Sequence, residues 1–138
     1  MEVFMAKKVL VVDDSFVMRT LIKNIIAVDP DLEVVGDASN GVLALEKAKQ
    51  LTPDLILLDI EMPEMDGIEC LKHLRLSSSA QVVIISSVAQ IGSPQALEAR
   101  RLGARDVIAK PSGAMSLDLK DKKGHDIIKA ARRAVGLN

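Results

Sequence analysis

Residues 9–15 read VLVVDDS: Val9, Leu10, Val11 and Val12 form an unbroken aliphatic run that stops at two adjacent acids, Asp13 and Asp14, and then at Ser15. A short run of this kind is the pattern of a strand buried on both faces of a parallel sheet. Ser15 suits a helix N-cap, and beyond it Val17, Met18, Leu21, Ile22, Ile25 and Ile26 recur at spacings of three and four until Asp29 and Pro30 stop the pattern. The unit is therefore strand, acidic turn, helix. It repeats outward along the chain. Residues 55–58 and 82–85 are further unbroken aliphatic strands, whereas 32–36 and 106–109 are interrupted by a polar residue or a glycine and are expected at the sheet edges. Ala44, Leu45, Ala48 and Leu51 mark a second helix ending before Pro53, and Ile68, Leu71 and Leu74 a third. Ser93 and Pro94 read as N-cap and first residue of a fourth, which ends near Gly103, and Ile127, Ile128, Ala131 and Val135 lie on one face of a fifth. Connections this short between parallel strands require crossover helices, so an α/β domain of (βα)5 form, with right-handed units covering both sheet faces, is expected. Residues 1–7 read as a flexible extension and 8–138 as the domain, within which the Ser-, Asp-, Lys- and Gly-rich 112–124 reads as a loop or the start of an interdomain linker.

Composition narrows the function classes. The 138 residues carry a net charge of −1, with 49% hydrophobic and 27% charged, which fits one folded domain with one core. Phe4 and Phe16 are the only aromatic residues, so the core is aliphatic and stacking on bases or sugars is poorly supplied. Basic residues number 18 against 19 acidic, which argues against nucleic acid as a partner. Cys70 is the sole cysteine, so neither an intrachain disulfide nor a cysteine zinc site can form. No apolar run approaches the roughly 20 residues of a membrane span, and residues 1–8 contain no secretory apolar segment. A cytoplasmic location without membrane insertion is expected.

In an open parallel sheet, ligands bind outside the carboxyl ends of the strands. Here those ends bear Asp13 and Asp14, Asp59, Ser86 and Ser87, and Lys110 followed by Pro111. Each alone reads as a cap, a turn residue or a solvated lysine; together they form a complementary set. Three carboxylates converging on one rim repel one another unless a cation intervenes. An all-oxygen site with room for water suits Mg2+, and the lack of clustered His or Cys argues against Zn2+. A carboxylate beside Mg2+ and a lysine is placed to attack a phosphoryl group, and it is already ionised at pH 7. Asp59, alone at the end of the central run, is the expected nucleophile. Asp13 and Asp14 then anchor the metal with Asp59, the main-chain carbonyl of Glu61 is a further ligand, and Ser86 and Lys110 contact the phosphoryl oxygens.

The motifs VLVVDDS (9–15), DLILLDIEMPEMDG (54–67), VVIISS (82–87) and VIAKP (107–111), in this order and spacing, resemble the receiver domain of two-component response regulators. The resemblance implies a flavodoxin-like three-layer sandwich of strand order 2-1-3-4-5. It also implies Mg2+-dependent phosphotransfer from a histidine kinase to Asp59, with the roles given above for Asp13, Asp14, Ser86 and Lys110. ISSVAQ (85–90), ALEARRLGARD (96–106) and KPSGAMSLDL (110–119) are similar to the amino-terminal receiver of chemotaxis protein-glutamate methylesterases, which implies an esterase as effector. No G-x-S-x-G nucleophile turn occurs in these residues, so the chain reads as the receiver part of such an esterase, or as a stand-alone receiver acting on a motor or kinase complex. Receivers commonly carry Phe or Tyr three residues before the lysine. Here that position is Val107, which has no ring to swing, so the Ser86 half of the usual switch is retained and the aromatic half is not. An aspartyl-phosphate phosphatase is a weaker alternative: enzymes of that kind want an acid–base Asp two residues after the nucleophile, where this chain has Glu61.

The remaining features have plain readings. His73 and His125 suit surface or capping positions, Cys70 a small residue against the third helix, and Met62 and Met65 packing beside Asp59. Glu61 and Val88 flank the site. Arg100, Arg101, Arg105, Lys129, Arg132 and Arg133 form a basic face, either solvated or an interface with a partner protein.

Overall fold

The aliphatic runs become strands β1 (Lys7–Val12), β2 (Leu32–Ala38), β3 (Leu55–Leu58), β4 (Gln81–Ser87) and β5 (Asp106–Lys110) in a computed structural model that describes residues 5–87, 92–110 and 124–138. All neighbouring strands pair in parallel, in the order β2-β1-β3-β4-β5. This is the flavodoxin-like α/β order the motifs imply. The order also accounts for the sequence pattern: every residue of β3 is buried, while the interrupted runs lie in β2 and β5, which have a strand on one side only.

Five helices among the described residues are α1 (Phe16–Ala27), α2 (Gly41–Leu51), α3 (Gly67–Ser77), α4 (Pro94–Arg101) and α5 (Gly124–Ala134). Ser15, Asn40, Asp66 and Ser93 cap the first four, each side-chain oxygen accepting the amide hydrogen three residues on. The sheet separates two cores. Val9, Val11, Leu55, Leu57, Val83 and Ile85 face α1 and α5, whereas Leu10, Val12, Ile56, Leu58, Val82 and Ile84 face α2, α3 and α4. The period-two alternation of buried strands thus supplies both layers.

The β1–β2 register shifts by one residue: Val9 pairs with Val34 but Leu10 with Gly36. Residues 1–4, Val88 and 111–123 lie outside the described residues, and with them most of the extension and of the linker reading. No helix among the described residues is long and apolar enough to cross a membrane.

Candidate functional site

Four strand ends meet at one rim. Asp13 follows β1 and its amide donates to Ala38 O at 3.1 Å; Asp59 follows β3 and its amide donates to Val12 O at 3.0 Å. These two bonds continue the parallel ladder past the strand ends and bring both carboxylates to one level. Lys110, the last residue of β5, reaches past the ends of β4 and β3 to donate to Asp13 Oδ2 at 2.7 Å and lies 3.3 Å from Asp59 Oδ2. The other oxygen of Asp13, Oδ1, accepts the amide of Ser15 at 2.8 Å. Asp13 and Asp59 are 1% and 4% exposed, while Asp14 is open to solvent. One carboxylate oxygen from each of the three acids lies within 4.8 Å of the others.

Electrostatics follow from this geometry. Burial, aided by the charges of Asp13 and Asp14 and opposed by Lys110, pushes the Asp59 carboxyl up to about 6. For Lys110, burial works toward a lower value, but hydrogen bonding and the charges of Asp13 and Asp59 outweigh it and hold the ammonium above its ordinary range. One lysine thus faces three acids. At an effective dielectric of about 20, two ionised carboxylates at such a separation repel by about 3 kcal/mol, so the set favours a second positive charge. The oxygens available, with no His or Cys among them, fit a hard divalent cation.

The rim opens into a cleft of about 680 Å3 lined by Asp14, Asp59, Glu61, Ser87, Gln95 and Lys110, together with the loop after β3. That loop turns through Glu64, at φ +67°, and is closed by Gly67, whose amide donates to Ile60 O at 2.7 Å. A Cβ on Gly67 would stand 2.2 Å from Asp59 O, so only glycine lets α3 begin this close to the nucleophile candidate.

Asp13, Asp14, Asp59 and Lys110 are brought together as their strand-end positions predict, and Glu61 lies at the cleft. Ser86 and Val107 are placed differently. The Ser86 hydroxyl is fully buried and has no hydrogen-bond partner among the described residues, while its neighbour Ser87 lines the cleft. Val107 is buried with the core on the α4 side. Gln95 and Asp66 also line the cleft, although neither stands at a strand end. Gln95 carries no local signal, because only the docking of α4 brings it there.

Comparison with known proteins agrees with this architecture. The family model described as "Response regulator receiver domain" matches residues 9–121. A protein-glutamate methylesterase/protein-glutamine glutaminase of Syntrophomonas wolfei is 49% identical over 128 residues, covering 93% of this chain and 36% of that protein. One of Halalkalibacterium halodurans is 54% identical over 113 residues, covering 82% of this chain and 33% of that protein. The chain therefore spans about a third of the length of these relatives. Among solved structures, the response regulator domain of Thermotoga maritima CheB superposes with a TM-score of 0.88 at 41% identity, covering 97% of this chain and 99% of that one. A chain in the complex of the CheA3 P1 domain with CheY6 from R. sphaeroides gives 0.75 at 44% identity, covering 94% and 97%. With the family model matched over most of its length, the chain belongs to the response regulator receiver domains, and its relatives place it beside the receivers of chemotaxis methylesterases.

Proposed function

We propose that the protein is a cytoplasmic phosphoacceptor switch of a chemotaxis two-component system. A histidine kinase transfers a phosphoryl group to Asp59, and the resulting aspartyl phosphate controls a protein-glutamate methylesterase. The observation that carries this reading is the buried Asp59 carboxylate at the end of β3, 3.3 Å from Lys110 and clustered with Asp13 and Asp14. In the transfer, an Asp59 oxygen forms a bond to phosphorus while the bond from phosphorus to the donor imidazole nitrogen breaks, the electron pair returning to the ring. The ionised carboxylate has no proton to lose, so no general base is needed. Mg2+, held by Asp13, Asp14, Asp59 and the main-chain carbonyl of Glu61, would neutralise charge on the transferring oxygens. Lys110 is placed to pair with another phosphoryl oxygen. Ser86, a buried hydroxyl with no described partner, is the donor that would turn toward the phosphoryl group and carry the signal into β4. Val107 offers no ring, so the conformational response rests on Ser86.

The esterase as effector is supported by the names of the relatives, of which this chain covers the receiver third. A stand-alone receiver acting on a motor or kinase complex is the second reading, supported by 44% identity to a chain of the CheA3 P1–CheY6 complex. Whether the gene encodes an esterase domain after Asn138 separates the two. The phosphoacceptor role is tested by intact mass after incubation with acetyl phosphate and Mg2+. The protein should gain one phosphoryl group and Asp59→Asn none; a gain by both would remove Asp59 as the acceptor.

A further inference from the structure

We infer that Arg19 is a positioning residue for the acidic site: it holds the peptide joining Asp13 to Asp14 in the geometry a cation needs, and Asp37 on β2 holds Arg19 in turn. The inference rests on the function proposed above. Arg19 lies on α1 with its side chain 13% exposed. Its Nη1 donates to the Asp13 main-chain oxygen at 2.8 Å and its Nε donates to Asp37 Oδ2 at 2.9 Å, with the guanidinium 5.7 Å from the centroid of the Phe16 ring. The planar fork lets one side chain grip two acceptors in fixed directions.

The Asp13 carbonyl belongs to the planar peptide that leads into Asp14, so anchoring it sets the direction in which Asp14 leaves the strand. Asp13 is secured at every polar atom, by Ala38, Ser15, Lys110 and Arg19. Asp14 is not: its carboxylate is exposed and accepts no hydrogen bond from a described residue, so its place in the cluster depends on the backbone. A plain ion pair between α1 and β2 would not need Arg19, because Lys23 also reaches Asp37 Oδ2, at 3.3 Å. Only Arg19 adds the bond to Asp13.

The register shift in β2 aims the pair. Leu32 and Val34 pack on the α1 side of the sheet, and unbroken alternation would send Gly36 there too and turn Asp37 away from α1. The shift at Val9/Leu10 reverses the phase: a Cβ on Gly36 would meet Leu51 and Lys47 of α2, and Asp37 turns to Arg19 and Lys23. A bulge that re-aims one side chain next to a functional site is a known use of that irregularity.

The test measures Mg2+ affinity by calorimetry, alongside metal-free thermal unfolding, for Arg19→Met, Arg19→Lys and Asp37→Asn. Arg19→Met should weaken Mg2+ binding about tenfold, the usual scale for a residue that orients a ligand without touching the metal. Arg19→Lys should restore the ion pair, and with it most of the unfolding temperature, but not the affinity, because an ammonium lacks the fork. Asp37→Asn should weaken binding by a smaller factor. Variants that bind Mg2+ as the wild type does, within about twofold, overturn the inference; rescue of both affinity and stability by lysine reduces Arg19 to an ordinary ion pair and overturns it equally. Should Arg19→Met fail to fold, the other two variants decide. A wild-type protein that binds no Mg2+ overturns the proposed function and this inference with it.

Discussion

Asp59 shows how a reactive residue is costly to the fold that holds it. With its carboxyl raised to about 6, the folded chain binds more protons than the unfolded one between about pH 4 and 6. Stability contributed by this group is therefore present at low pH and lost as pH rises through that window. Asp59→Asn should then be more stable than the wild type at neutral pH without metal, by about 1–3 kcal/mol, with the gap closing below about pH 4. Urea unfolding at both pH values checks this, and a gap that widens in acid contradicts it. Cys70 is the opposite case, a buried thiol with no chemical task. Burial first, and the charge of Asp66 second, push it up to about 12, and its Sγ lies 3.8 Å from Gly41 O. A thiol-reactive dye should leave the native protein unlabelled at neutral pH and label it fully once unfolded.

The loop between β3 and α3 is the element on which site geometry depends most directly. Gly67→Ala must push a methyl group against the Asp59 carbonyl and the Ile60 Cα, so one of the two backbone segments has to shift right beside the carboxylate. The change should cost about 1–3 kcal/mol and slow phosphorylation by acetyl phosphate, measured by unfolding and by mass; an unaltered rate would show that the loop relaxes elsewhere. On the opposite side of the site, α4, β5 and α5 carry the basic residues. Arg100 and Arg133 both approach Asp106, at 3.7 and 3.9 Å, while Arg101 is largely exposed and pairs with Glu98 in its own helix. Reversing Arg101 and Arg133 to Glu should weaken docking of the effector and leave acetyl phosphate chemistry unchanged. Binding measured with the isolated partner domain decides, and unchanged docking moves the interface elsewhere.

At the scale of the molecule, one sheet separates two aliphatic cores, and each layer needs the sheet to complete its burial. The layers should therefore unfold together, with calorimetric and van't Hoff enthalpies in agreement. The last helix is tied down far from the site: Arg132 bonds Asp29 at 2.8 Å and Asp31 at 2.9 Å, joining α5 to the turn between α1 and β2. Arg132→Met leaves the buried Asp29 without its cation, so the unfolding midpoint should fall, and less so at high salt. The absence of tryptophan means that metal binding and phosphorylation must be followed by calorimetry or mass rather than by intrinsic quenching.

The element order, the central and edge strands, the caps at Ser15 and Ser93 and the acids at the strand ends were legible in the chain. Those features are local: an unbroken aliphatic run, a Ser-Pro pair or an acid after a strand carries its meaning within a few residues. Edge position was legible too, because a strand paired on one side tolerates the polar interruptions seen in β2 and β5. Other features were not. Ser86 and Ser87 are indistinguishable as neighbours in sequence, and alternation across β4 decides that one is sealed and the other lines the cleft. Gln95 reaches the cleft only through the packing of α4. Arg19 looks like the polar side of an amphipathic helix, and a one-residue register shift in a different strand turns Asp37 toward it. Sequence by itself determined which chemical groups stand at the rim, since strand ends are set by local pattern; the tertiary structure alone decided which of them meet and what holds them, since contacts between distant residues depend on register and helix docking, which no local pattern records.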